Sequence, residues 1–117
     1  MWKLDGKALK NKANLWNSDD EWKLEMKDMM IYVENTNKNK VLGITRYFGE
    51  FSKVIEEDFV EGNTRQLWKK GKPNAEGYFT LENHGLRKTL TAISANSLQV
   101  RGKSQHLYHS SINKLGP

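Results

Sequence analysis

Few residues in this chain have the type and spacing that chemistry demands. Two runs of adjacent carboxylates stand out, Asp19-Asp20-Glu21 and Glu56-Glu57-Asp58. Paired carboxylates can divide acid and base roles, but only where a cleft drives their pKa values apart. Nothing around either run builds a cleft, so both read as exposed loop charge. His106 and His109 stand three apart with Tyr108 between them, a spacing that would place both on one helical face. No carboxylate or third histidine follows, and Ser104, Ser110, Ser111, Gly116 and Pro117 surround them. A C-terminal tail is expected there rather than a metal site. The absence of cysteine excludes disulfides and thiolate metal sites. A Gly-rich phosphate loop, a Ser-His-Asp order and zinc spacing are all missing. The expectation is a non-enzyme with no cofactor and no metal.

Binding is the class that remains. The 117 residues carry 19 Lys and Arg against 14 Asp and Glu, a formal net charge of +5. The basic residues are spread along the chain, which argues against nucleic acid as a partner. Three basic clusters, Lys69-Lys70-Gly71-Lys72, Arg87-Lys88 and Arg101-Gly102-Lys103, could converge to hold an acidic polysaccharide, although Glu76 and Glu82 interrupt them. The longest apolar run, Met29-Met30-Ile31-Tyr32-Val33, is too short to span a bilayer, and Met1 to Asp5 lack the apolar stretch of a signal peptide. The lack of cysteine leans towards a reducing, cytoplasmic compartment.

The elements that must position any binding residue are legible as strands. Ile31-Tyr32-Val33-Glu34-Asn35 and Phe79-Thr80-Leu81-Glu82-Asn83 share one pattern, large apolar residues at alternate positions followed by Glu-Asn. Lys40-Val41-Leu42 and Lys88-Thr89-Leu90 follow at the same shift of 48 positions, and Trp22 and Trp68 precede at a separation of 46. A third, degenerate copy runs from Trp2 through Leu9-Lys10-Asn11 to Leu15-Trp16. Self-similarity at a fixed period marks a fold built from units that cannot bury their apolar faces alone. Alternation predicts Ile31, Val33, Phe79 and Leu81 facing a core, with Tyr32, Glu34, Thr80 and Glu82 facing out. Further strands are expected over 41–45, 51–55, 67–69, 89–93 and 98–101, separated by Asn-, Gly- and Pro-rich turns. The run 19–30 competes as a helix, with an acidic first turn and good helix formers; its place in the repeat limits that to a single turn.

Gln66-Leu67-Trp68, then Gly77-Tyr78-Phe79-Thr80-Leu81-Glu82-Asn83 and Lys88-Thr89-Leu90, resemble the Gln-x-Trp unit of ricin-type lectin domains. Residues 66–93 follow that pattern well, residues 22–45 in part, and residues 1–20 poorly. The resemblance implies an all-β chain, a β-trefoil of imperfect repeats with a shortened first unit, over residues 1–103. Residues 104–117 would form a tail or a closing strand. It also implies a shallow sugar site in each unit, made by an Asp after the Leu of the Leu-bearing strand, a stacking aromatic, and an Asn beside the Gln. In this chain those positions hold Gly43 and Thr91 for the Asp and Arg65 for the Asn. Tyr47 or Phe48 could supply the ring and Asn63 the amide.

The candidate ligand-binding residues are therefore Tyr47, Asn63, Arg65, Gln66 and Thr91. Four of them have a plainer role: Tyr47 on the barrel rim, Asn63 shaping the Gly62-Asn63 turn, Arg65 as solvated charge. Gln66 would satisfy backbone groups where the chain leaves the barrel. The expected function is a carbohydrate-binding module for a glycan or glycoprotein, working as an oligomer or as part of a larger chain to gain avidity. A trefoil domain that binds a partner protein without sugar chemistry, or one that binds acidic polysaccharide, are the alternatives.

Overall fold

Alternation of side chains decides the architecture. The computed structural model describes residues 1–16, 18–27, 30–45 and 52–102. The strands are β1 (Trp2–Asp5), β2 (Ala8–Asn11), β3 (Trp22–Lys27), β4 (Met30–Asn35), β5 (Lys40–Ile44), β6 (Ser52–Glu57), β7 (Trp68–Lys70), β8 (Leu81–Asn83), β9 (Thr89–Ser94) and β10 (Ser97–Arg101). Among the described residues the single helical element is a 3-10 turn, Thr64–Gln66. The chain is all-β, as its period-two pattern requires.

Seven strands close into an antiparallel barrel in the order β4-β5-β6-β10-β9-β8-β7, with β7 returning to β4 through Ile31 opposite Trp68. Closure removes exposed edges, which would otherwise invite pairing with other chains. β3 lies along one edge of β4 over six residue pairs, from Trp22 opposite Asn35 to Lys27 opposite Met30. β5 and β7 share the other edge of β4. The β1–β2 hairpin is a sheet of its own, tied to the barrel by mutual backbone hydrogen bonds of 2.8 Å between Trp2 and Phe79.

The helical reading of the run 19–30 ends in a strand. Trp22 is buried, Lys23 and Glu25 are exposed, and Leu24 packs against the core. That is a strand's period, and pairing with β4 settles it over propensity.

One pair recurs across the hairpins. Trp2 stands opposite Asn11, Trp22 opposite Asn35 and Trp68 opposite Asn83. The asparagines are buried, Asn35 and Asn83 completely. Asn35 Oδ1 accepts from the N–H groups of Asn37 and Lys38, and Asn83 Oδ1 accepts from those of Gly85 and Leu86. Each thereby caps the tight turn that ends its strand. Those turns pass through left-handed backbone at Asn39 and Arg87, both with φ of 58°, and a third such turn holds Asn14 at 59°.

Trp2 and Trp68 are fully buried, and their indole N–H groups donate to the carbonyls of Leu90 and Leu42, both at 3.1 Å. The Trp22 indole donates instead to Ser18 Oγ at 3.0 Å. A buried indole N–H without an acceptor would cost roughly 1–3 kcal/mol, so each ring's place is fixed by its partner. Trp16 bridges Trp2 and Trp22 edge to face, with centroids 5.7 and 5.8 Å apart. The expected inward residues Ile31, Val33, Phe79 and Leu81 all lie in this core. Tyr32, expected to face out, does so on the sheet but is only 7 % exposed, because Phe59 covers it.

Candidate functional site

Segment 58–66 follows β6 and lays its 3-10 turn against β5, and the buried Gln66 holds this crossing. Its Nε2 donates to Glu57 Oε2 and to the Asp58 carbonyl, both at 2.8 Å, while its Oε1 accepts from the Val60 N–H at 2.8 Å. Gln66 is fully buried, so its amide acts on the chain itself. A Cβ built on Gly43 would land on the Glu57 carboxylate, which fills the space beside that glycine. Of the carboxylates 56–58, expected as exposed loop charge, Asp58 is exposed in a loop, whereas Glu56 and Glu57 end β6 half-buried and act as structural partners. Glu57 serves Gln66, and Glu56 Oε2 accepts from Asn35 Nδ2 at 3.0 Å, as does Asp20 Oδ2 at 2.8 Å. Two carboxylates far apart in sequence thus meet at one buried asparagine, with Lys38 Nζ 3.8 Å from both.

Beside this crossing the outer faces of β3, β4 and β5 form the floor of a cleft of about 570 Å³, and Asp58 and Phe59 form its wall. Phe59 is 47 % exposed and meets the Tyr32 ring edge to face at 4.8 Å. Glu25, Glu34, Asn39 and Val41 complete the lining. Asp58 is tied to Lys40 Nζ at 2.6 Å. Glu25 lies 2.9 Å from Lys23 Nζ, and that hydrogen bond, helped by the carboxylate's charge, raises the lysine above its ordinary range. The arrangement offers one apolar ring surface bordered by charged and neutral oxygen acceptors.

Three of the residues expected to bind ligand come together. Asn63 caps the 3-10 turn by accepting from the Arg65 N–H at 3.0 Å, Arg65 is exposed on that turn, and Gln66 is buried beneath it. The Arg65 carbonyl accepts from Asn83 Nδ2 at 2.8 Å, which anchors the turn to β8. Thr91 stands apart on β9, its hydroxyl donating to the Thr89 carbonyl at 3.0 Å, and it lines a different cleft with Met1, Leu15 and Arg101. Tyr47, Phe48, His106 and His109 lie outside the described residues, as do residues 104–117.

The basic clusters converge in part. Lys69 and Arg87 share a small cleft of about 140 Å³ with His84 and Glu82, whereas Lys70 sits over the Phe79 ring at 4.6 Å. Among the described residues no group of three His, Asp or Glu side chains could hold a metal ion, and no helix is long and apolar enough to cross a membrane.

The sequence reading missed Tyr32 with Phe59. They are 27 positions apart, and only the fold of segment 58–66 joins them. No protein-family model matches the chain, and neither does any curated protein or solved structure.

Proposed function

We propose that the protein is a carbohydrate-binding module on a β-trefoil scaffold, and that its sugar site is the Tyr32–Phe59 cleft. The trefoil reading is supported by three equivalent closures. Trp68 faces Ile31, Trp2 faces Phe79, and the Trp22 N–H donates to the Lys7 carbonyl at 2.7 Å. In each, a tryptophan meets the residue four positions before a buried asparagine of another hairpin.

The observation that carries the sugar reading is Phe59. It is a half-exposed ring, braced edge to face by Tyr32, with the Asp58, Glu34 and Asn39 side chains around it. A pyranose presents one face of C–H groups and a rim of hydroxyls. The ring takes the first, and carboxylate acceptors take the second through charge-assisted hydrogen bonds. The position after Leu42, where ricin-type lectins place their Asp, is Gly43, and Glu57 fills the space beside it. The open cleft next to it takes over that role.

A glycan array tests this. Saturable binding that withstands moderate salt and disappears in Phe59→Ala supports it, and failure of every sugar class removes it. Phe59 and Val60, side by side at 47 % and 53 % exposure, favour one second reading, a protein partner on the same loop. Loss of a captured protein on Val60→Asp, with no glycan bound, would select it.

A further inference from the structure

The hairpins of β4 with β5 and of β8 with β9 present the same face, and the described residues cover only one of them. Glu34 stands opposite Val41 and Glu82 opposite Thr89, one pairing repeated 48 positions on. The outer face that these pairs define holds Tyr32 and Val41 in the first hairpin, Thr80 and Thr89 in the second. Over the first lies the chain that follows β6. Its Phe59 meets the Tyr32 ring, and Tyr32 is only 7 % exposed. Over the second, Thr80 is exposed, and a cleft of about 400 Å³ opens on Thr80, Thr89 and Thr91.

This cleft has an apolar side. Met1 and Leu15 line it, and they are 39 % and 50 % exposed. Large apolar residues left open on one cleft mark a surface that a further segment covers. Gly102, the residue after β10, lines the same cleft, so the chain that continues from β10 sets out from within it. The first large apolar residues of that continuation are Leu107 and Tyr108. Five extended residues reach about 17 Å, which is longer than a cleft of this volume is wide. A segment on so short a tether acts at an effective concentration in the millimolar range. That favours it over a separate peptide or a second copy.

We propose that residues 103–108 lie over this cleft as segment 58–66 lies over its counterpart, seating Leu107 and Tyr108 against Met1 and Leu15. The hairpin of β8 with β9 is then covered by the chain's own continuation, and Thr91 is closed to ligand. Neither consequence depends on a sugar in the Tyr32–Phe59 cleft.

The chain has no cysteine, so a nitroxide on Ala13→Cys, an exposed position lining this cleft, is a single probe for amide NMR of the full chain. The amides of residues 104–109 should lose most of their intensity. They should keep it when the nitroxide sits instead on Lys23→Cys, an exposed position of β3 outside the cleft. Leu107→Asp/Tyr108→Asp should abolish the effect of the Ala13→Cys label, with the barrel amide shifts elsewhere showing that the variant is folded. Full intensity at 104–109 in the first experiment, broadening that survives the double variant, or equal broadening from Lys23→Cys would each overturn the proposal. So would broadening in a mixture of nitroxide-labelled protein with isotope-labelled wild type, which would put a second copy in the cleft.

Discussion

The carboxylate of Glu57 stands where a side chain on Gly43 would have to go. Gly43 is therefore the residue that lets Glu57 reach the Gln66 amide, and Gln66 in turn ties down Asp58 and Val60. The wall of the Tyr32–Phe59 cleft, the proposed sugar site, depends on that chain of contacts.

Gly43→Ala should push the Glu57 carboxylate aside and leave the buried Gln66 amide short of an acceptor. The expected cost is roughly 1–3 kcal/mol, read from urea unfolding. In a Glu57→Ala background the same change should cost much less, because the two residues act through one contact. Equal costs in both backgrounds would show that the contact carries no stability.

Asn83→Ala removes the acceptor for the Gly85 and Leu86 N–H groups and the donor to the Arg65 carbonyl. Each orphaned group costs about 1–3 kcal/mol when it stays dry, so this should be among the most damaging single changes outside the tryptophans. The melting temperature measures it. Asn35→Ala should behave alike, and it should also release Asp20 and Glu56.

Arg87 holds a left-handed backbone with φ of 58° and an exposed side chain. An ordinary side chain pays about 1–2 kcal/mol for that conformation, and asparagine less. Arg87→Asn should therefore stabilise the fold by up to about 1 kcal/mol, seen as a higher urea midpoint with an unchanged slope. Asn39, at the same angle, already has the favoured residue type, so Asn39→Ala should destabilise.

Much of this fold was written in the sequence in a readable form. Residues 48 apart, such as Asn35 with Asn83 and Leu42 with Leu90, match in burial, and each leucine carbonyl accepts a tryptophan N–H. Patterning finds such positions because burial restricts residue type. β3 was harder, since Glu21 to Met30 are good helix formers and only a partner strand selects the extended form. The cleft was not legible at all. Phe59 sits in an irregular segment where no period constrains it, and Glu57 looks like solvated charge until Gln66 is seen folded against it. Loop contacts between distant residues leave no local signal.

The most direct measurement is an equilibrium titration of the best array glycan against the wild-type protein and Phe59→Ala. Because Phe59 is half exposed, the variant should melt within about 1 kcal/mol of wild type. Its affinity should nevertheless fall by about tenfold or more, the loss of a stacked aromatic contact. Equal affinity in the two proteins would contradict the assignment of this cleft as the sugar site.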